Sequence, residues 1–297
     1  MSNFFDKLIK GGRCKYCGEK TWFFKTSHGK CAHYSMEGWN EMVALVAKIA
    51  SQGGDVNKLD KQIVKLANAH QIAKANIKNV VIEGWEKALK NILQDSIITE
   101  EAEKNLTMVG EQFSLNQYDL DSHRSYTCFM QGCILREILN GKIPINRIKT
   151  NAPIPFNLQK SEVMVWIFTN TLYYEDKTRT ETYRRYVGKS KGFSVRIMKG
   201  VYYRTGAFSG YPIVSKNTYT QREHIDTGLL GITSKNIYFL GSKKSFKIPY
   251  KKIVSFIPHS DGIALFRDAA NAKPQMFKTG DGWFTFNLVS NLAQIGN

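Results

Sequence analysis

The sequence predicts an α+β protein: a small cysteine-based metal knuckle, a helical bundle, and an antiparallel β domain closed by one C-terminal helix. Three observations predict it. Cys14, Cys17 and Cys31 fall within eighteen residues. From Met36 to Leu139 apolar residues recur at spacings of three and four, the period of helices with one buried face. From Glu162 onward, short β-branched and aromatic stretches alternate with Gly, Ser, Asn, Asp and Pro, the pattern of a strand meander. The helical period returns after Thr279. These changes place boundaries at 1–35 for the knuckle, 36–144 for the helices, 145–160 for an extended linker and 161–297 for the β domain.

Composition narrows the class. The 297 residues are 42% hydrophobic and 23% charged, enough apolar material for a core. No apolar run reaches the ~20 residues that span a bilayer. Met1 to Gly12 carries Asp6, Lys7 and Lys10 and has no long apolar region, unlike a secretory signal. The five cysteines are odd in number and clustered, which suits metal binding in a reducing, cytoplasmic compartment better than disulfides. The net charge of +17 is uneven. Residues 36–150 hold 14 bases and 14 acids, whereas residues 151–297 hold 21 bases and 9 acids, a net of +12. A basic domain joined to a neutral one points to an anionic partner, nucleic acid or an anionic lipid surface; a merely solvated basic face is the alternative.

In order along the chain, Gly11-Gly12 ends a short helical stretch, and Cys14-Lys15-Tyr16-Cys17-Gly18 follows. A Cys-x-x-Cys turn aims two sulfurs to one side, and Gly18 can take the positive φ such a turn needs. Cys31-Ala32-His33 comes thirteen residues later, just ahead of a helix. Cys14, Cys17, Cys31 and His33 then form a tetrahedral zinc set, with Thr21–Lys25 as a short covering strand. The arrangement resembles the treble-clef zinc fingers of bacterial proteins, which place a second Cys-x-x-Cys pair at the helix start. Here that pair is incomplete: Tyr34 stands where its second Cys would be. His33 is the nearest substitute and His28 the next. A redox role for Cys14 and Cys17 lacks the βαβ surroundings it needs. A catalytic zinc would need an open position and an acid, for which Glu19 is the local candidate.

The helical region reads as five helices. Trp39, Met42, Val43, Val46 and Ala50 mark the first, broken by Gly53-Gly54. Leu59, Ile63 and Leu66 mark the second. Val80, Val81, Trp85, Leu89 and Ile92 mark the third. Thr99-Glu100-Glu101 opens the fourth with acids in its first turn. Tyr126, Phe129, Cys133, Ile134 and Ile138 mark the last, which Gly141 stops and Pro144 keeps from restarting. His70 and His123 are isolated, and Cys128 and Cys133 read as core thiols. No phosphate loop or His-Glu-x-x-His motif occurs here.

In the β domain, Glu162–Phe168 reads as a buried strand and Glu175–Arg185 as a charged hairpin or loop. Tyr186-Val187, Phe193–Ile197 and Val201–Arg204 read as further short strands, with Gly188, Gly192 and Gly200 at turns. Leu229–Thr233, Ile237–Leu240, Ser245–Ile248, Ile253–Ile257 and Ile263–Phe266 continue the meander. Phe284, Leu288, Leu292 and Ile295 form the closing helix, with Asp281 as its cap. Antiparallel strands closed by one helix are the organisation of a pleckstrin-homology-like barrel. Ile232-Thr233, Ile237-Tyr238-Phe239, Phe246, Ile248-Pro249 and Ile253 also resemble the GRAM type of that fold. The resemblance implies a binding module, often for phosphoinositides or proteins.

The anion-binding candidates are Lys189, Lys191, Arg196, Lys199 and Arg204, around the Gly-rich turns. Lys243 and Lys244 make a second patch. Tyr183, Tyr186, Phe193, Tyr202 and Tyr203 interleave with the bases, as on surfaces that stack nucleobases, or else alternate into the core. The sequence therefore favours a non-enzymatic, zinc-binding intracellular adaptor with a basic module for an anionic or protein partner. A nucleic-acid-binding protein is the second reading. A zinc-dependent or nuclease-like enzyme is the third, with Asp226, His224, His259 and Asp261 as its sparse candidates.

Overall fold

A computed structural model describes residues 12–22, 25–95, 98–145, 147, 153–198, 201–269 and 273–295, with the backbone alone for 95, 186–198 and 201–212. The chain divides into two units, Met1–Pro153 and Ile154–Asn297.

In the first unit, α1 (Gly29–Gln52) begins seven residues before the expected Met36. His28 is its extended N-cap residue, with φ −74° and ψ 145°, so Cys31 lies in the first turn. Gly53 breaks the helix in the left-handed region, φ 85°. Asp55 then caps α2 (Val56–Ala69) by accepting from the Lys58 N–H at 3.1 Å. The other helices are α3 (Ile77–Asp95), α4 (Glu100–Gln112), α5 (Gln117–Leu120) and α6 (Ser125–Leu139). Thr99 caps α4, and Asn116 with Asp119 forms a reciprocal capping box on α5. The α6 terminus is closed by paired bonds from Gly141 N–H to Ile138 O and Lys142 N–H to Glu137 O, both 2.9 Å. That pairing requires positive φ at Gly141, observed at 74°.

The apolar stripes meet in one core of Met42, Val46, Leu59, Ile63, Val80, Trp85, Leu106 and Phe129. Trp85 is its centre. Its ring meets Phe129 edge-on at 5.5 Å, and its indole N–H donates to Leu106 O at 2.9 Å. Cys133 is buried in this core; burial pushes its thiol up to about 12. His70 donates its Nδ1–H to Tyr34 O, 2.8 Å away, and its ring lies tilted against the Tyr34 ring, a packing role. Glu103 binds Arg136 and Arg147, and Arg147 also reaches Glu137, so the chain just past α6 is tied to the helices.

The second unit is a seven-stranded antiparallel sheet curled into a half-barrel, in the order β4-β3-β2-β1-β7-β6-β5. Its strands are β1 (Met164–Met198), β2 (Val201–Thr233), β3 (Asn236–Gly241), β4 (Ser245–Pro249), β5 (Ile253–His259), β6 (Gly262–Arg267) and β7 (Gln275–Lys278). A final helix, α7 (Gly282–Ile295), packs on β5 and β6. Asp281 accepts from the Phe284 N–H at 3.1 Å, capping it as expected. Phe284 turns inward onto Trp166, with rings 5.1 Å apart. A second aromatic cluster of Tyr173, Phe239, Phe246 and Phe277 fills the curl. At the lower end, buried Glu162 accepts from Asn236 Nδ2 at 2.7 Å, Tyr238 OH at 2.9 Å and the Gln159 N–H at 2.8 Å, and also from Thr233.

One expectation fails over a long stretch. Glu175–Arg185 is neither a loop nor a hairpin but part of one strand, and no turns stand at Gly188 or Gly192; Gly200 lies outside the described residues. β1 and β2 run as one ladder with no register shift from Tyr174↔His224 to Arg196↔Tyr202. The glycines pair across it, Gly188 with Gly210 and Gly192 with Gly206. A glycine facing a glycine weakens a strand without turning it. Only Leu172–Glu175 of β1 pairs with β7, and only Gly228–Ile232 of β2 pairs with β3. Beyond those residues, Asp176–Met198 and Val201–Glu223 have each other as their sole described strand partner. At 3.3–3.4 Å per residue this two-stranded ribbon extends about 75 Å past the sheet.

Asp226, at the sheet end of β2, ties it to the β3–β4 turn. It is 4% exposed and accepts from the N–H groups of Lys243 at 2.6 Å and Lys244 at 2.8 Å, and from Ser242 Oγ at 3.1 Å. Burial acts to raise its carboxyl, but those donors outweigh it and hold it down at about 2. A carboxyl depressed on folding stabilises the fold above its unfolded value, near pH 4, and the contribution is lost as pH falls through the folded value. Amide exchange at Lys243 and Lys244 should therefore lose protection between about pH 4 and pH 2. In Asp226→Asn that protection should already be reduced at pH 7. An acid-insensitive turn in the native chain would refute the assignment.

Candidate metal centre

Cys14-Lys15-Tyr16-Cys17 closes as a tight turn, with the Gly18 N–H on Cys14 O at 2.9 Å and Gly18 at φ 77°. Arg13 and Lys20 form an antiparallel bridge on either side, and the Cys14 N–H reaches Glu19 O at 2.7 Å. Thr21 staples the next turn: its hydroxyl lies 2.8 Å from Gly12 O and 2.6 Å from Lys25 O. The strand expected over Thr21–Lys25 is not a covering strand in its described part. Lys25 N–H turns back to Trp22 O at 3.0 Å, and Trp22 is 81% exposed. Phe23 and Phe24 lie outside the described residues.

The turn brings Cys14 and Cys17 against the start of α1. Four ligand atoms, from Cys14, Cys17, Cys31 and His28, lie within 4.8 Å of one another. His28 Nδ1 is 3.3 Å from Cys17 Sγ and 3.8 Å from Cys31 Sγ. Donors around one tetrahedral ion with bonds near 2.0–2.3 Å stand about 3.5 Å apart, so these separations fit a metal ion. The fourth member is His28, not His33. His33 sits one turn into α1 on the solvent side, its Nδ1 3.4 Å from Glu37 Oε1. A sequence signal for this exists. His28-Gly29-Lys30-Cys31 has the same x-x spacing as the knuckle, so the second pair is complete when counted backward from Cys31 rather than forward.

The histidine is oriented for ligation. His28 Nε2 lies 2.9 Å from Lys20 O. A carbonyl can only accept, so that nitrogen carries the proton, and Nδ1 presents its lone pair to the sulfurs. The thiols show why a cation belongs among them. Burial opposes ionisation of Cys14, yet the N–H groups of Cys17, His28 and Tyr16 bring it down to about 6. Burial and the neighbouring Cys17 and Cys14 push Cys31 up to about 11. Crowded thiolates repel, and a bound divalent cation removes the conflict. Cys31 also sits in the first turn of α1, where unpaired N–H groups favour negative charge. Glu19 is exposed and outside the cluster.

The remaining sequence candidates lie in the β unit. Lys189, Lys191, Arg196 and Arg204 occupy ladder positions of the ribbon rather than turns, opposite Ser209, Ala207, Tyr202 and Ser194. Lys199 lies outside the described residues. Lys243 and Lys244 are exposed on the β3–β4 turn. The acids weighed for hydrolysis are engaged in structure: Asp226 by its turn, Asp261 with Lys278 at 3.0 Å. His224 meets Thr227 at 3.0 Å.

No model of a known protein family matches the chain, and no curated protein matches it.

Proposed function

We propose that this protein is a non-enzymatic adaptor of the cytoplasm, stapled by one zinc ion at its N-terminal knuckle, whose basic β unit takes up an anionic partner. Three thiols and an imidazole select zinc over calcium or magnesium, which prefer oxygen ligands. Thiolate ligation suits a reducing compartment, and no helix among the described residues is long and apolar enough to cross a membrane. A sheet of seven antiparallel strands with a C-terminal helix across it supports the pleckstrin-homology-like reading of the second unit.

The observation that carries the anionic partner is the ribbon. Between Thr182 and Asn217 it holds eight Lys/Arg and no Asp/Glu. The constant register permits a clean test. Joining Thr182 to Lys216 through Asn-Gly removes the outer ribbon and leaves every remaining pair in place. On immobilised heparin, the full chain should bind and elute with rising salt. The shortened variant should bind at least tenfold more weakly while keeping the β-sheet signal in circular dichroism. Equal retention of both proteins would refute the reading.

A further inference from the structure

Resting on that reading, we propose that the ribbon is an arm for duplex DNA, entering the B-form major groove and following its phosphates.

Shape is the first argument. The major groove of B-DNA, about 12 Å wide, admits a two-stranded β-ribbon, whereas the deep, narrow major groove of A-form RNA does not. The acid-free part of the ribbon pairs Thr182↔Lys216 out to Met198↔Val201 and measures about 55 Å.

The distribution of charge is the second. Basic residues recur along its length, at Arg184, Arg185, Lys189, Lys191, Arg196, Arg204 and Lys216. Strand alternation sets Arg184, Arg196, Arg204 and Lys216 on one face and Arg185, Lys189 and Lys191 on the other, so a ribbon lying between the two phosphate walls of a groove offers them bases from both faces. A flat anionic bilayer meets only the tip or one face. The acids are confined to the sheet end and are locally paired there. Asp176 holds Arg222 at 3.0 Å, Glu223 holds Lys177 at 3.1 Å and also Arg179, and Glu181 accepts from Tyr219 OH at 2.9 Å. The outer ribbon therefore has no acid of its own to offset these bases.

Unmet burial is the third. Where its side chains are described, the ribbon is exposed on both faces, including Tyr183 at 52%, Ile213 at 46%, Val214 at 49% and Tyr219 at 41%. An isolated two-stranded ribbon gains little from its own contacts. Groove walls of sugar and base would cover these side chains, and the unpaired N–H groups on the ribbon's outer edges can donate to phosphates. A third protein strand is the less suitable cover. Pro212 lacks the N–H such pairing needs, and closely spaced Lys/Arg guard an edge against strand addition.

The test uses the full chain and four probes: a DNA duplex of about 24 base pairs, long enough for the ribbon at about 3.4 Å per base pair, the RNA duplex of the same sequence, vesicles with about one-third phosphatidylserine, and heparin. DNA should bind, with a slope of log K against log salt between about −5 and −7. RNA should bind at least tenfold more weakly, and vesicles more weakly still. The combined variant Arg184→Gln, Arg185→Gln, Lys216→Gln should flatten the DNA slope by about 2–3, with the shortened ribbon weaker again. Heparin binding with DNA no tighter than RNA, or with vesicles preferred, overturns the DNA arm and leaves the anionic-partner reading intact. DNA binding that survives ribbon shortening also overturns it, because the contact then lies elsewhere. Failure on all four probes overturns both.

Discussion

Cys14→Ser should leave the purified chain without its zinc, where the native chain carries about one ion. The effect is large because a structural zinc supplies about 10–16 kcal/mol of apparent folding free energy to a segment with little core of its own. Residues 12–31 fit that description. Among their described side chains only Cys14 and Thr21 are strongly buried, and Trp22 faces solvent. Without the ion, crowded thiols remain beside a helix start, and the turns around Gly18 and Thr21 lose what holds them together. Metal analysis together with limited trypsin cleavage at Lys20 and Lys25 reads both consequences. His28→Ala should behave like Cys14→Ser. His33→Ala should keep the metal and the protection, since the described partner of the His33 ring is Glu37, one helical turn on. Metal loss in His33→Ala with retention in His28→Ala would reverse the ligand assignment. A chain without zinc whose cleavage ignores chelators would reject the site.

Trp85→Ala should destabilise the helical unit by about 3–5 kcal/mol, the usual cost of emptying a large buried aromatic site. Trp85 is 1% exposed, and it joins α3 to α6 through Phe129 and to α4 through Leu106 O. The substitution removes the ring, takes the indole donor from the Leu106 carbonyl and opens a void that rigid helices fill poorly. Trp85→Phe should cost less, about 1–2 kcal/mol, because an edge-on ring contact survives. Helical ellipticity followed through denaturant measures the difference. A loss below about 1 kcal/mol for Trp85→Ala would mean that the three helices do not meet at this ring.

The metal centre and the ribbon show different limits of local pattern. The knuckle was legible because Cys-x-x-Cys with a following Gly is a short-range geometric statement, complete within five residues. Its fourth ligand was not. His28 and His33 flank Cys31 at comparable distance, and the choice rests on Lys20 O, a backbone atom eight residues from His28 that arrives only when the loop folds back. The ribbon was misread for a related reason. Gly188 and Gly192 are turn signals when their neighbours alone are considered. They become ladder positions once Gly210 and Gly206 stand opposite, and nothing near them in sequence announces those partners.

By itself the sequence determined the elements whose cause lies within a few residues. These are helices with a three-to-four stripe, the Asp281 cap, the Gly141 stop, the meander from Leu229 to Phe266, and the excess of positive charge in residues 151–297. Hydrophobic period, capping chemistry and turn propensity act over one or two turns of chain, so they can be read in order. The tertiary structure alone decided which histidine joins the cysteines, that four short predicted pieces are one ribbon, and that Asp226 holds the Lys243–Lys244 turn. Each of these depends on a backbone group brought from a distant part of the chain. Its position is set by cross-strand register or loop closure, which no single stretch of sequence encodes.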